Sequence, residues 1–198
     1  PQLEDLGMMI DVDDPSLATS FFSTLASSGL PLSRLSVHVC RTSDWPELVP
    51  CLSRFVVLRS LSVSWGEPHP PEGPDDVHDV GHWANLVELQ ELDIEAQGRV
   101  AGLQCVLSCC RRLRCLRLWC HEVCGVTKSN QINEESPLRS CSLQEMWLTG
   151  SCTYSRIFPT MLRCGLDLQG CPSLKKICVQ GLSLEGCTPE ETGLCCGD

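Results

Sequence analysis

Apolar positions recur along the chain in one fixed order, L-x-x-L-x-L, in which steps one, four and six are apolar. The order occurs seven times, starting at residues 3, 32, 58, 89, 113, 143 and 174. All 21 of these positions are apolar, in a chain that is 42% hydrophobic. Self-similarity at intervals of 24 to 31 residues is typical of repeat proteins, whose units bury their apolar faces against their neighbours. The pattern therefore predicts a solenoid with one strand in each repeat.

Steps five and seven of each repeat predict a second surface, because successive side chains of a strand point to opposite faces. In the central repeats, these steps and step three carry charged residues and tryptophans: Glu91, Asp93, Glu95, Arg117, Trp119, Glu145 and Trp147. Exposed Trp and Arg often carry most of the binding energy of an interface, and truncating one often costs ~2 kcal/mol or more. We therefore predict a protein-binding site at these seven residues. In the alternative interpretation, Trp119 and Trp147 fill gaps in the core between irregular repeats.

The segments between the strands predict helices. Asp14-Pro15 and Asp44-Trp45-Pro46 each place an acidic residue shortly before a proline, which is a common helix start. Helices are predicted over about 15–27, 46–54, 76–86, 101–110 and 155–164, and a capping box at 188–191 predicts one more near the end. We expect Leu17, Phe21, Leu25 and Ser28 to lie on the buried face of the first helix. In the fourth helix that face is expected to consist of Leu103, Val106, Leu107 and Cys110.

The repeats resemble those of leucine-rich repeat proteins over almost the whole chain. Their length is similar to that of the ribonuclease-inhibitor subtype, and segments 89–94 and 103–118 look like repeats of NOD-like receptors. The Asn or Cys that follows the strand in this family is mostly missing here: Cys40 and Cys152 fit that place approximately, whereas Gly66, Gln97 and His121 do not. The resemblance implies an α/β solenoid of about seven repeats. It would form a curved horseshoe with parallel strands on the concave face and helices on the convex face.

Residues 1–198 are expected to form a single leucine-rich repeat domain. Because the chain enters a repeat at Leu3 with no polar cap before it, we expect a fragment of a longer protein. Two segments interrupt the repeats. Residues 66–76 contain four prolines and therefore predict an irregular loop, and residues 125–140 carry poor helix signals.

Composition narrows the choice of partner and compartment. A net charge of −10 argues against nucleic acid and is compatible with a basic protein partner. No run of 18 apolar residues is present, which argues against a membrane span. The 16 cysteines include Cys105, Cys109 and Cys110, which we expect to pack in a helix as small apolar residues. A chain with a repeat core does not depend on disulfides, so we expect reduced thiols and a cytoplasmic location.

Signals for catalysis, metals and cofactors are weak. Gly-x-Ser-x-Gly, a Gly-rich phosphate loop and His-Glu-x-x-His are all absent from the sequence. His78 and His82 have the spacing of two ligands on one helical face, but no third ligand has a firm spacing. Cys120, His121 and Cys124 lack the second ligand pair of a metal knuckle. We therefore predict no enzyme activity, no metal and no cofactor.

The resemblance implies a protein-recognition module: the ligand-sensing and autoinhibitory repeat region of a NOD-like-receptor-type sensor of innate immunity. Its partner would be a protein ligand or another domain of its own parent protein, and neither nucleic acid nor a membrane. Two alternatives stay open. One is a stand-alone inhibitor similar to ribonuclease inhibitor, and the other is a substrate adaptor of a ubiquitin ligase, which would carry an F-box outside residues 1–198.

Overall fold

A computed structural model describes residues 3–10, 15–39, 45–65, 77–96, 99–120, 122–124, 138–149, 170–180 and 194–195. The strands are Asp5–Ile10 (β1), Arg34–Val39 (β2), Ser60–Trp65 (β3), Val77–Asp79 (β4), Glu91–Glu95 (β5), Arg99–Ala101 (β6), Cys115–Trp119 (β7), Glu122–Cys124 (β8), Glu145–Thr149 (β9), Lys176–Gln180 (β10) and Leu194–Cys195 (β11). The helices are Pro15–Ser27 (α1), Trp45–Leu52 (α2) and Leu103–Cys109 (α3), with a 3₁₀ helix at Gly81–Asn85. The protein is therefore α/β, as predicted, with mostly parallel strands and few helices.

Eight strands form one parallel sheet in the order β1-β2-β3-β5-β7-β9-β10-β11, which we call the main sheet. Its register aligns step four of the seven sequence repeats, in the row Leu6, Leu35, Leu61, Leu92, Leu116, Met146 and Ile177. A backbone ladder fixes this register where the chain enters each strand. The Ser33 carbonyl accepts the N–H groups of Arg59 and Ser60 at 2.8 and 3.0 Å, and the Arg59 carbonyl accepts those of Gln90 and Glu91.

The core lies behind the main sheet and combines steps one, four and six with buried residues of the helices, such as Phe22, Trp83 and Leu103. In the five central repeats all of these side chains are buried, for example Leu58, Leu61 and Val63 on and before β3. In the first repeat Leu3 is 40% exposed, so burial is complete only where a repeat has neighbours on both sides. Full burial of one such side chain contributes roughly 1.5–3 kcal/mol, which makes the repeated apolar steps the main source of stability.

A second, three-stranded parallel sheet joins β4, β6 and β8 and was not predicted. Its middle row pairs His78 with Val100 and Val100 with Val123, and all three side chains are buried. The helix predicted over 76–86 is therefore wrong over its first residues, which form β4. The remainder is a 3₁₀ helix that buries Trp83. The His78–His82 spacing was read as helical, but His78 lies in a strand and His82 is exposed.

Helix α1 has the predicted bounds, but its buried face is shifted by one residue. Leu17 and Phe21 are exposed, whereas Ala18 and Phe22 are buried. Both pairs have helical spacing. The second pair is buried because it points towards α2 and the turn before β3. In α3 the prediction is confirmed, because Leu103, Val106, Leu107 and Cys110 are all buried.

Several other predictions can be compared with the described residues. Segments 66–76, 125–137, 155–164 and 188–191 lie outside them. The end of the second predicted loop is described, and Leu138 and Ser140 there are buried. Residues 194–195, which would continue the last predicted helix, form β11 instead. Among the described helices, none combines the length and apolar character required to cross a bilayer.

Candidate functional site

The polar face of the main sheet is the face that carries steps three, five and seven. All seven predicted binding residues lie on it, on the three adjacent strands β5, β7 and β9. The register pairs Asp93 with Arg117 and Arg117 with Trp147 across these strands. It pairs Glu95 with Trp119 in the next row. Because neighbouring strands are about 4.8 Å apart, the tertiary structure gathers residues that are up to 56 positions apart in sequence into one patch.

Trp119 is the exposed aromatic residue of this patch. Its side chain is 42% exposed, although Trp is usually among the more buried residue types. Its partner in the register is Glu95, a half-buried carboxylate on β5. An indole beside a carboxylate offers an aromatic surface and a negative charge to the same ligand group, an arrangement that suits a lysine or arginine side chain.

Trp147 is half-buried and is already in contact with charged groups of the chain. The Nζ atom of Lys176 lies 4.2 Å from the centre of the Trp147 ring. The indole N–H of Trp147 donates to Oε2 of Glu145 at 3.4 Å. The contact with Lys176 shows how the patch accommodates a cation: the ring faces the ammonium group, and a carboxylate lies at the ring edge.

The carboxylates at the centre of the patch are partly removed from water. Burial raises the pKa of Asp93, and the neighbouring Arg117 guanidinium offsets part of that effect. Burial also raises the pKa of Glu95; the charge of Asp93 raises this pKa further, and His38 lowers it. Burial is the main cause of both raised pKa values, and repulsion from Asp93 adds to that of Glu95, so an incoming cation would stabilise the charged form of both carboxylates.

Cys115 lies between Glu91 and Glu145 in the step-three row. Burial is the main cause that raises the pKa of its thiol, and the surrounding carboxylates Glu145, Glu91 and Asp93 raise it further against the opposing effect of Arg117. A reactive cysteine requires the opposite shift, because the thiolate is the nucleophile. This thiol therefore lacks the electrostatic activation of a catalytic cysteine.

Two residues of the polar face, Lys176 and Cys115, were not predicted, whereas His38 was expected there at step seven of the second repeat. The Nδ1 atom of His38 lies 2.7 Å from Oγ of Ser64, in a hydrogen bond between β2 and β3. Lys176 and Cys115 occupy step three, and the two-residue period places step three on the same face as steps five and seven. The signal was therefore present in the pattern. Step five of the last repeat predicts Cys178 on this face, but its side chain is buried.

The polar face combines four carboxylates, two cations and two tryptophans on strands β5, β7, β9 and β10. Within the part of the chain that the structure describes, no group of three or more His, Cys, Asp or Glu side chains is arranged to hold a metal ion. The nine cysteines whose side chains are described are free thiols, and Cys105 and Cys109 are exposed rather than buried as predicted. Chemically, the patch is suited to recognise a cationic macromolecular surface.

The chain was compared with known proteins at three levels. No protein-family profile, no curated protein and no solved structure matches it.

Proposed function

We propose that the chain is a leucine-rich repeat solenoid of about seven repeats that acts as a protein-recognition module. Its polar face would be the concave binding surface. One observation supports this role above all: seven charged and aromatic residues, selected from the repeat pattern, lie on one face of three adjacent strands. A sheet presents these side chains from a backbone that is already ordered, which lowers the entropy cost of binding.

The proposed partner is a basic protein surface. The patch contains four carboxylates and two cations, and the pKa values of Asp93 and Glu95 are raised. A lysine or arginine of the partner would be held between the Trp119 ring and these carboxylates. Charge complementarity of this kind mainly increases the association rate and the specificity.

Following the resemblance to NOD-like receptors, we propose that the module is the ligand-sensing and autoinhibitory repeat region of a cytoplasmic innate-immune sensor. The basic surface would then belong to a ligand or to another domain of the same protein. A nucleotide-binding domain encoded upstream of Pro1 would support this role. A reading frame that starts near Pro1 would contradict it.

A direct test compares affinity-enriched proteins by quantitative mass spectrometry. The baits are the unchanged chain, Trp119→Ala and Leu17→Ala. Leu17 is also an exposed apolar residue, but it lies on α1 rather than on the polar face. We expect a partner that is lost with Trp119→Ala and retained with Leu17→Ala, and that binds the purified chain directly. Partners that respond equally to both substitutions would exclude the polar face as the binding site.

The acidic character of the face also favours a second candidate, a stand-alone inhibitor of a basic enzyme. The two candidates differ in what the isolated chain does. An inhibitor would abolish the activity of a basic ribonuclease at low ionic strength. High salt would release the enzyme and restore its activity, because exposed charges are screened beyond a Debye length of about 10 Å at 0.1 M salt. A sensor module would leave that activity unchanged.

A further inference from the structure

A cleft of about 550 Å³ opens where the chain enters the first strands of the main sheet. Three segments line it: Glu4 before β1, the turn at 26–33 after α1, and the turn at 54–59 before β3. None of these lining residues belongs to the polar face. The volume lies within the range of about 300–1,000 Å³ found for small-molecule sites.

The cleft lining includes several apolar side chains. Phe55 is buried, and its ring meets Phe22 of α1 edge to face, with ring centroids 6.3 Å apart. Three other lining residues, Leu30, Val56 and Val57, are 37%, 52% and 51% exposed. Single exposed apolar residues are ordinary on a protein surface, but here three of them converge on one concave site.

Two arginines, Arg54 and Arg59, belong to the lining of the cleft. Nη1 of Arg54 donates to Oγ of Ser23 at 3.2 Å, which ties the Arg54 side chain to α1. The Arg59 backbone is fixed by the strand-entry ladder, since its N–H donates to the Ser33 carbonyl at 2.8 Å. Within the described residues, the Arg59 side chain has no hydrogen bond or ion pair. Glu4 is the one acidic residue of the lining, so the lining carries a net positive charge in a chain whose total charge is −10.

We propose that this cleft binds a small carboxylic acid with an apolar body, of about the size of a medium-chain fatty acid. The lining has a net charge of one, which matches a monoanion. A guanidinium group matches a carboxylate geometrically, because two parallel N–H groups can donate to its two oxygens. The apolar body would cover Leu30 and Val57 above Phe55. This site goes beyond the proposed protein recognition and does not depend on it.

The test is a titration of the full chain with octanoate, followed by NMR of the methyl groups of Val56 and Val57. We expect saturable shifts at these valines. Arg59→Ala should weaken binding about tenfold or more, because it removes a charge-assisted hydrogen bond. Glu4→Gln should strengthen binding, because it removes the one repulsive carboxylate.

Arg114→Ala is the matched control. Arg114 occupies the same step of its repeat as Arg59, is exposed, and takes part in the same backbone ladder, but it does not line the cleft. Its loss should leave octanoate binding unchanged. Octanol and octylamine carry the same tail without a negative charge and should bind at least tenfold more weakly. Circular dichroism of each variant verifies that it is folded.

Three results would overturn the proposal: no saturable response to octanoate, equally tight binding of octanol, or the same loss in Arg114→Ala as in Arg59→Ala. The first would show that the cleft has no ligand of this class. The second would leave the arginines without a role, and the third would indicate a general effect of positive charge on the chain.

Discussion

The rings of Phe22 and Phe55 meet edge to face, with their centroids 6.3 Å apart and their planes at 89°. The contact joins helix α1 to the turn that precedes β3. In the sequence, β2 and α2 lie between these two segments. Phe21, the next ring along the chain, is 45% exposed. The helix is therefore oriented by packing between repeats, and its two adjacent phenylalanines have opposite environments.

Phe22→Ala and Phe21→Ala form a matched pair, because both remove the same atoms from adjacent positions of one helix. We expect Phe22→Ala to lower the free energy of unfolding by about 3–5 kcal/mol, the usual cost of emptying a buried aromatic site. Phe21→Ala should cost less than about 1 kcal/mol, as for most surface substitutions. Urea unfolding followed by circular dichroism measures both. Equal losses would mean that α1 is rotated relative to the orientation described here.

Gly102 directly precedes α3 and has a left-handed backbone conformation, with φ 75°. At this residue the chain approaches Gly81 closely. A Cβ atom at residue 102 would lie 2.5 Å from the Gly81 nitrogen and 2.8 Å from its Cα. We expect Gly102→Ala to cost more than about 2 kcal/mol, because a left-handed backbone conformation costs roughly 1–2 kcal/mol and overlap with backbone atoms is added to it.

Substitutions at Gly29 and Gly7 separate the cost of a left-handed backbone from the cost of overlap with backbone atoms. Gly29 has φ 69° but no atom within 4 Å of a built Cβ, so Gly29→Ala should cost only the backbone term of about 1 kcal/mol. Gly7 lies in β1, also with open space, and Gly7→Ala should change stability by no more than about 0.5 kcal/mol. Thermal or urea unfolding ranks the stabilities of the three variants. If Gly102→Ala were no less stable than Gly29→Ala, the close approach between residue 102 and Gly81 would be contradicted.

Stability should depend on pH through Asp93. Burial raises its pKa in the folded protein, so the folded state binds a proton more readily than the unfolded state. This carboxyl group therefore favours folding at acidic pH, and its contribution is lost as the pH rises from the unfolded pKa through the raised folded pKa. Asp93→Asn should stabilise the protein at neutral pH, and the gain should disappear below about pH 4.

The guanidinium group of Arg117 lowers the pKa of Asp93 against the effect of burial. Arg117→Gln should therefore raise the pKa of Asp93 further, which carboxyl-detected NMR titration would show directly. Unfolding curves at a series of pH values provide the stability readout. Destabilisation by Asp93→Asn at neutral pH would contradict the raised pKa of Asp93.

Cys109 and Cys110 are adjacent but should react very differently. Cys109 is exposed, whereas Cys110 is fully buried, and burial raises the pKa of its thiol to about 12, with a further contribution from Cys109. Since the thiolate is the reactive form, brief treatment with iodoacetamide should label Cys109 and leave Cys110 unmodified. Peptide mass spectrometry distinguishes the two positions. Denaturant should make both react, and labelling of Cys110 in the folded chain would contradict its burial.

The repeat pattern alone predicted seven of the eight strands of the main sheet and their register; β11 was not predicted. The apolar row from Leu6 to Ile177 and the neighbouring polar row from Gly7 to Trp147 both follow from a period of two residues. The same period located the seven predicted binding residues on the polar face. Such predictions succeed because a side chain's face depends on its position in its own strand, and because repeats of one kind can align only in register.

Contacts between repeats were decided by the tertiary structure alone. Local spacing allowed two apolar faces for α1, and the neighbouring turn selected Ala18 and Phe22. The second sheet depends on pairing between His78, Val100 and Val123, which lie more than 20 residues apart from one another. The placement of Lys176 over Trp147, and of Arg54 and Arg59 at one cleft, likewise depends on how separate turns and strands meet. Periodicity along the chain specifies which way a residue points, and only packing between distant segments specifies what it meets there.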